Sequence, residues 1–223
     1  MHQLSIHSIQ PSGRQLFHLV CDTPDEVRDS FTKPGQFLEV ALDDPAEKKG
    51  FFAIASRPGA ERMEFLVKAA GQPAEAICSR KPGETLYSSL AKGNGFPESG
   101  SERPTHLFSM GSGLAPCRSV ILAHLAGTHP APGGLTLWQA SFTREHLPFA
   151  DEYEDWRKAG VKVELCLDEG EGRTGSVVER LEELGPDLRE ARAFWIGSKE
   201  FGRTVQETAT GLGLLPDRLH SNY

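Results

Sequence analysis

The stretch Met110-Gly111-Ser112-Gly113-Leu114-Ala115-Pro116 holds the residues of this chain best placed to do chemistry. A short apolar run, His106 to Met110, precedes it and reads as a buried strand. Ala115 to Leu125 follows and reads as a helix with proline in its first turn. A strand, a turn of small residues and a helix together aim backbone N–H groups and a positive helix end at an anion. A nucleotide diphosphate is the anion such a turn suits. The third glycine of the G-x-G-x-x-G fingerprint is missing, so a tight turn that binds nothing is the competing reading.

Other chemistry is poorly supported. The four cysteines, Cys21, Cys78, Cys117 and Cys166, lie far apart and form no C-x-x-C pair, which argues against a local zinc or iron–sulfur site. They read as buried thiols of a cytoplasmic protein. The eight histidines show no metal spacing, and His106 and His220 sit in apolar contexts that suit packing. No metal site is expected. Asp43-Asp44 and Glu169–Glu171 read as solvated turns. The net charge of −7 argues against nucleic acid and anionic membranes as partners. No apolar run is long enough to insert in a membrane, and the first residues do not read as a signal peptide.

Two kinds of element must position the turn. With 223 residues, the chain has room for two ordinary domains. Up to about residue 100 it alternates short β-rich runs with turns: Leu4–Ile9, Leu16–Cys21, Gln36–Leu42, Phe51–Ser56, Glu64–Ala69 and Glu84–Leu90, with a short helix at Ala74–Arg80. Such spacing predicts a small antiparallel barrel. Gly93 to Glu102 reads as the linker. Beyond it strands and helices alternate: strands His106–Met110, Leu135–Ala140, Val161–Leu167 and Ala191–Ile196, with helices Ala115–Leu125, Phe149–Ala159, Gly175–Leu184 and Lys199–Leu212. Arg218–Tyr223 completes the set as a last strand. This order predicts a parallel sheet covered by helices, with ligands at the carboxyl ends of its strands. The loops at Gly111 and at Gly197-Ser198-Lys199 fall there. Within the helix Phe149–Ala159, the spacing of Phe149, Tyr153 and Trp156 predicts a face packed on the sheet.

The two halves together resemble the ferredoxin–NADP reductase superfamily. The resemblance rests on Pro34-Gly35-Gln36-Phe37, Phe51-Phe52-Ala53-Ile54-Ala55-Ser56, Lys81-Pro82-Gly83-Glu84, Gly93-Asn94-Gly95-Phe96, the Gly111 turn, Gly197 and the aromatic end Leu219 to Tyr223. Within that superfamily the chain is most similar to the short plant-fruit-protein-like branch. The resemblance implies an FAD-binding β-barrel domain over 1–103 and an NAD(P)-binding α/β domain over 104–223. It implies hydride transfer from NAD(P)H to FAD, and electrons passed to a separate protein or small molecule. No catalytic triad is needed, because the cofactors carry the chemistry and the protein orients them. The implied flavin contacts are Phe52, Ala53, Ile54, Ala55, Val67, Lys68, Gly71 and Ala74. The implied coenzyme contacts are Gly111, Ser112, Gly113, Leu114, Pro116, Ser141, Arg144 and Gly197. Tyr223 is implied as a lid over the flavin face.

The chain also departs from the family pattern. Its barrel signature, Arg-x-Tyr-Ser, reads Gly50-Phe51-Phe52-Ala53 here, which removes a phosphate-pairing arginine and a ring-bonding hydroxyl. The Gly-x-x-Ser loop reads Gly71-Gln72-Pro73-Ala74. Each lost charge-assisted contact is worth roughly 1.5–3 kcal/mol. Lys68 is the preferred substitute, with Lys49 or backbone groups as others. Ile196 stands where many relatives have a cysteine beside the nicotinamide, and Cys117 reads as a packed thiol. Ser141-Phe142-Thr143-Arg144 ends the second strand of the α/β half with hydroxyls and a guanidinium, which favours NADPH over NADH. With three anchor positions altered, a flavin-free scaffold that binds a nucleotide or a protein partner is the alternative reading.

Overall fold

The computed structural model describes residues 1–97 and 102–221. Tyr223, expected as a lid, and residues 98–101 of the expected linker lie outside them. The first half forms six strands: β1 (His2–Pro11), β2 (Leu16–Asp22), β3 (Phe37–Ala41), β4 (Gly50–Ala53), β5 (Met63–Lys68) and β6 (Thr85–Ser88). All paired neighbours are antiparallel, in the order β4-β3-β6-β1-β2-β5. A bridge between Ile54 and Phe65 brings the two edge strands together, so the sheet nearly closes into a barrel. Alternation along each strand fills the barrel, with Leu4 and Ile6 of β1, Leu38 and Val40 of β3, and Met63, Phe65 and Val67 of β5 all turned inward.

Two short helices accompany the barrel, α1 (Asp25–Ser30) and α2 (Ala74–Cys78). Sequence periodicity does not reveal α1. It has six residues and buries only Val27, too few turns to display a 3.6-residue pattern.

The second half is a five-stranded parallel sheet. Its strands are β7 (Thr105–Met110), β8 (Leu135–Ser141), β9 (Lys162–Leu167), β10 (Arg192–Ile196) and β11 (Leu219–His220), ordered β11-β10-β7-β8-β9. Helices α3 (Leu114–Leu125), α4 (Tyr153–Lys158), α5 (Val177–Leu184) and α6 (Lys199–Gly211) connect and cover it. A capping box of Ser176 and Glu179 starts α5, and Ser198 caps α6 by accepting from the Phe201 amide. Phe149 does not belong to the helix expected over it. It holds a left-handed backbone (φ +50°) ahead of α4, although its ring is buried with Tyr153 and Trp156.

The two halves share a core. Leu16, Ala55, Leu66 and Phe96 from the barrel side pack with Leu107, Leu114, Ile121, Leu137 and Phe194 of the α/β side. Phe96, inside the expected linker, stacks on Phe194 with ring centroids 4.4 Å apart. The link is therefore a packed element in that part, because an aromatic there finds an apolar partner across the boundary. The β1–β2 turn also seats on the second half, where the Phe149 amide donates to Ser12 Oγ at 2.9 Å.

Candidate functional site

In the parallel sheet the chain runs from β7 outward to β8 and β9, then returns to the other side of β7 with β10. Connections therefore leave β7 and β10 in opposite directions, and a crevice opens outside their carboxyl ends. The Gly111 turn follows β7 and Gly197 follows β10. The crevice continues into a cleft of about 1100 Å³ whose opposite wall is the barrel. That volume is slightly above the usual range for a single small-molecule site.

The glycines of the sheet side have different reasons to be glycine. Gly111 has φ +57° with open space where a Cβ would be, so its role is conformational. A Cβ on Gly113 would fall 2.4 Å from the Ile196 carbonyl oxygen, which welds the turn to the end of β10. At Gly197 a Cβ would meet the Phe201 ring at 2.6 Å. The last two are needed for the protein's own packing, whatever binds. Ser112, Ser141 and Ser198 add hydroxyls to this wall. The amides of Gly111, Ser112 and Gly113 open this turn, where helices leave N–H groups unpaired, and the first amide of α3, Leu114, donates back to the turn's carbonyls.

Strand alternation builds the barrel wall. Along β5 the odd residues enter the barrel core, while Glu64, Leu66 and Lys68 face the second half. Leu66 joins the shared core and Lys68 emerges in the cleft. Arg14, from the β1–β2 turn, enters the same cleft. Both cations are exposed, and neither has an ion-pair partner among the described residues. Lys49 is engaged with Glu39 at 3.4 Å, so it is not available as an anchor. The Phe52 ring folds back over Gly50, where a Cβ would stand 2.5 Å from Phe52 Cε2. No larger side chain fits at position 50 while that ring stays in place. Phe51 points outward, 69% exposed, edge-on to Phe37.

Asp168, just past β9, is the one carboxylate on the cleft wall among the described residues. Burial, then the charge of Glu179, push its acid upward. His146 lies nearby on the wall, with Nδ1 2.8 Å from Thr143 Oγ1.

Of the residues expected at a flavin, Phe52, Ala53, Lys68 and Ala74 line the cleft. Ile54, Ala55 and Val67 do not. All three are fully buried, Ile54 and Val67 on the inward face of the barrel and Ala55 in the shared core. The amides of Ile54 and Ala55 are also spent, on Gln36 O and Glu64 O. Gly71 (φ +70°) is not on the cleft wall, and its amide donates to Glu75 Oε1 at 2.9 Å. On the coenzyme side Gly111, Ser112, Gly113, Pro116, Ser141 and Gly197 line the cleft. Leu114 is buried in the shared core, because it faces inward from the first turn of α3. Arg144 is not on the wall either, and its guanidinium lies against Gly172. Arg14 and Asp168 are cleft residues that motif matching missed, whereas Phe51 and Phe142 stand in the quoted stretches but are not picked as contacts. Arg14 and Asp168 come from segments that approach the site only in the folded chain. Cys117 is a packed thiol, held by burial at about 12 despite a hydrogen bond with Ser109.

No family model matches the chain. A curated relative, ferredoxin–NADP reductase B of Sorangium cellulosum, is 28% identical over 83% of this chain and 82% of its own length. Among solved structures, the flavohem-like FAD/NAD-binding domain of nitric oxide dioxygenase from Vibrio cholerae superposes with a TM-score of 0.85. It is 17% identical and covers 99% of this chain and 97% of that one. A ferredoxin–NADP+ reductase from Neisseria gonorrhoeae with bound FAD and NADP gives 0.81 at 16% identity, covering 99% and 98%. These likenesses support the ferredoxin–NADP reductase superfamily for this chain, and its two-domain fold is the fold of that superfamily.

Proposed function

We propose that this protein is a flavin-dependent oxidoreductase that takes hydride from a nicotinamide coenzyme and passes electrons to a separate protein or small-molecule acceptor. The barrel, 1–103, is the FAD domain and 104–223 the coenzyme domain. One observation carries the reading: both glycine turns at the switch point face an aromatic and cationic barrel wall across one cleft. The relatives support it by name, as a ferredoxin–NADP reductase and as an FAD/NAD-binding domain. Placement in the plant-fruit-protein-like branch is part of this proposal and rests on the sequence resemblance. Four free cysteines suit the cytoplasm.

The residues present fit a flavin nucleotide. Phe52 and Ala53 offer an apolar wall for a planar ring system. Arg14 and Lys68 offer two unspent charges in place of the arginine that Gly50 excludes. Opposite them, Gly111, Ser112 and Gly113 present backbone amides to a coenzyme diphosphate. When bound, flavin supplies the hydride-accepting ring and the route to one- or two-electron acceptors. The protein's part is to hold the two ligands in one cleft and to shed water from their meeting point. Coenzyme choice turns on Asp168, because Arg144 points elsewhere. A carboxylate in the cleft suits a ribose diol and opposes a 2′-phosphate, which favours NADH, against the NADPH expected from the sequence.

Adding FAD to the purified protein and recording its visible spectrum tests the assignment, followed by NADH and NADPH oxidation with an artificial acceptor. Uptake of FAD and coenzyme-dependent bleaching of the flavin band are expected. The missing anchors at Gly50, Ala53 and Ala74 favour one other reading, a flavin-free scaffold. A protein that takes up no FAD and oxidises neither coenzyme establishes that alternative instead.

A further inference from the structure

Arg118 is a charged residue with only 8% of its side chain exposed, and the hydride-transfer reading gives it no part. It sits on α3, two residues after Pro116 of the cleft wall. Its guanidinium reaches four groups at once. Nη1 donates to the Ala55 carbonyl at 3.1 Å and pairs with Glu64 Oε2 at 2.9 Å. Nε pairs with Glu152 Oε2 at 2.8 Å. The plane lies over the Phe149 ring, 4.6 Å from its centroid. Ala55 and Glu64 belong to the barrel half, and Glu152 and Phe149 to the α/β half. His18 of β2 completes the cluster, bonding Glu64 Oε2 at 2.8 Å and meeting Phe149 edge-on.

The barrel-side partners are one or two pleats from a cleft residue. Ala55 follows Ala53 by two residues, and Glu64 precedes Lys68 by four on the same face of β5. The guanidinium therefore ties the coenzyme turn, through α3, to both strands that form the flavin-facing wall. We propose that Arg118 is a positioning residue that fixes the spacing and register of the two cleft walls. The proposal rests on the reductase reading for its kinetic consequence, but not for its structural one. A planar fork with donors on three nitrogens can serve Ala55, Glu64 and Glu152 together, whereas a lysine ammonium is a single point on a flexible stem. Hydride transfer depends steeply on donor–acceptor placement, so a shift of about 1 Å between walls costs on the order of 100-fold.

Arg118→Ala leaves two partly buried carboxylates without their cation, so Arg118→Lys is the primary variant and Glu64→Gln the second. Two readouts are taken on each. In the protein without added cofactor, hydrogen exchange is expected to quicken at 12–16, 53–56 and 114–118, while the inward-facing strands β1 and β3 keep their protection. With cofactor, FAD and coenzyme Kd are expected to stay within about threefold of wild type, while flavin reduction by coenzyme slows about tenfold or more. The split between binding and transfer is what a purely structural role does not produce. Unchanged exchange together with an unchanged reduction rate in Arg118→Lys overturns the proposal. So does a loss of FAD and coenzyme binding as large as the loss of rate. If wild-type protein takes up no flavin, the reductase reading fails, and the exchange readout still decides the clamp.

Discussion

Replacing Gly113 by alanine separates packing from backbone freedom in the coenzyme turn. Gly113 has a right-handed helical backbone (φ −61°, ψ −13°), so alanine introduces no torsional strain there. Its Cβ would nevertheless stand 2.4 Å from Ile196 O and 2.9 Å from Ile196 C, where ordinary contact starts at 3.4 Å. The turn and the end of β10 must part by about 1 Å. Both sides are backbone, and β7 and β10 are paired in the same sheet, so neither side yields cheaply. The cost belongs at the upper end of the overpacking range, about 3 kcal/mol. For a chain of this length that lowers Tm by roughly 6–12 °C. The same opening pulls the Gly111 amide away from Gly197, and coenzyme affinity falls with it by about tenfold. Gly111→Ala is the comparison. Nothing lies within 4 Å of its Cβ, so only the left-handed backbone is strained, at about 1–2 kcal/mol, or roughly 2–8 °C. Scanning calorimetry and coenzyme titration read both effects. If Gly113→Ala melts within about 2 °C of wild type, or loses less stability than Gly111→Ala, the assignment of roles within the turn is wrong.

Three further outcomes are expected. His106 is buried, accepts from Trp138 Nε1 at 3.0 Å, and is held down by burial and then by Lys162 at about 4. The unfolded chain binds its proton near 6.5 and the folded chain only near 4, so stability falls as pH drops through that window, by about 3 kcal/mol in total. Urea melts at pH 7 and pH 4.5 should show this loss, and His106→Gln should remove most of it; an equal loss in the variant refutes the attribution. Lys68→Gln and Arg14→Gln should each weaken FAD binding by about tenfold, the cost of one charged contact to phosphate, as measured by flavin-fluorescence titration. Unaltered affinity in both variants removes these cations from the flavin site. Asp168→Asn should raise the NADPH/NADH ratio of kcat/KM by about tenfold, since it lifts a like-charge opposition without changing shape. A ratio that stays constant places the carboxylate away from the 2′ position.

Much of this architecture is legible along the chain because it depends on local pattern. The two-residue alternation of β1, β2 and β5, and the alternation of strands and helices after residue 104, reflect burial of one face of each element. The Gly111 turn and Gly197 stand out as small residues placed after apolar runs. Where periodicity is too short to register, as in α1, or where a helix pattern overruns its true start, as at Phe149, the reading slips. Motif matching also cannot separate the faces of a strand. It named Val67 and Lys68 together, yet β5 sends one into the barrel and the other into the cleft.

What the sequence by itself determined is the two-domain class and the place of the glycine turn after β7, because both follow from local pattern. Only the tertiary structure decided which residues share the cleft. Arg14, Phe51, Phe142 and Asp168 reach it from four separate segments, and Arg144 does not reach it at all. The tertiary structure likewise gave packing reasons for glycines that the sequence reading weighs only in terms of ligands. Gly113 and Gly197 are glycine because Ile196 and Phe201 occupy the space, and Gly50 because Phe52 does. Close packing between distant segments sets these limits, and no local spacing encodes it.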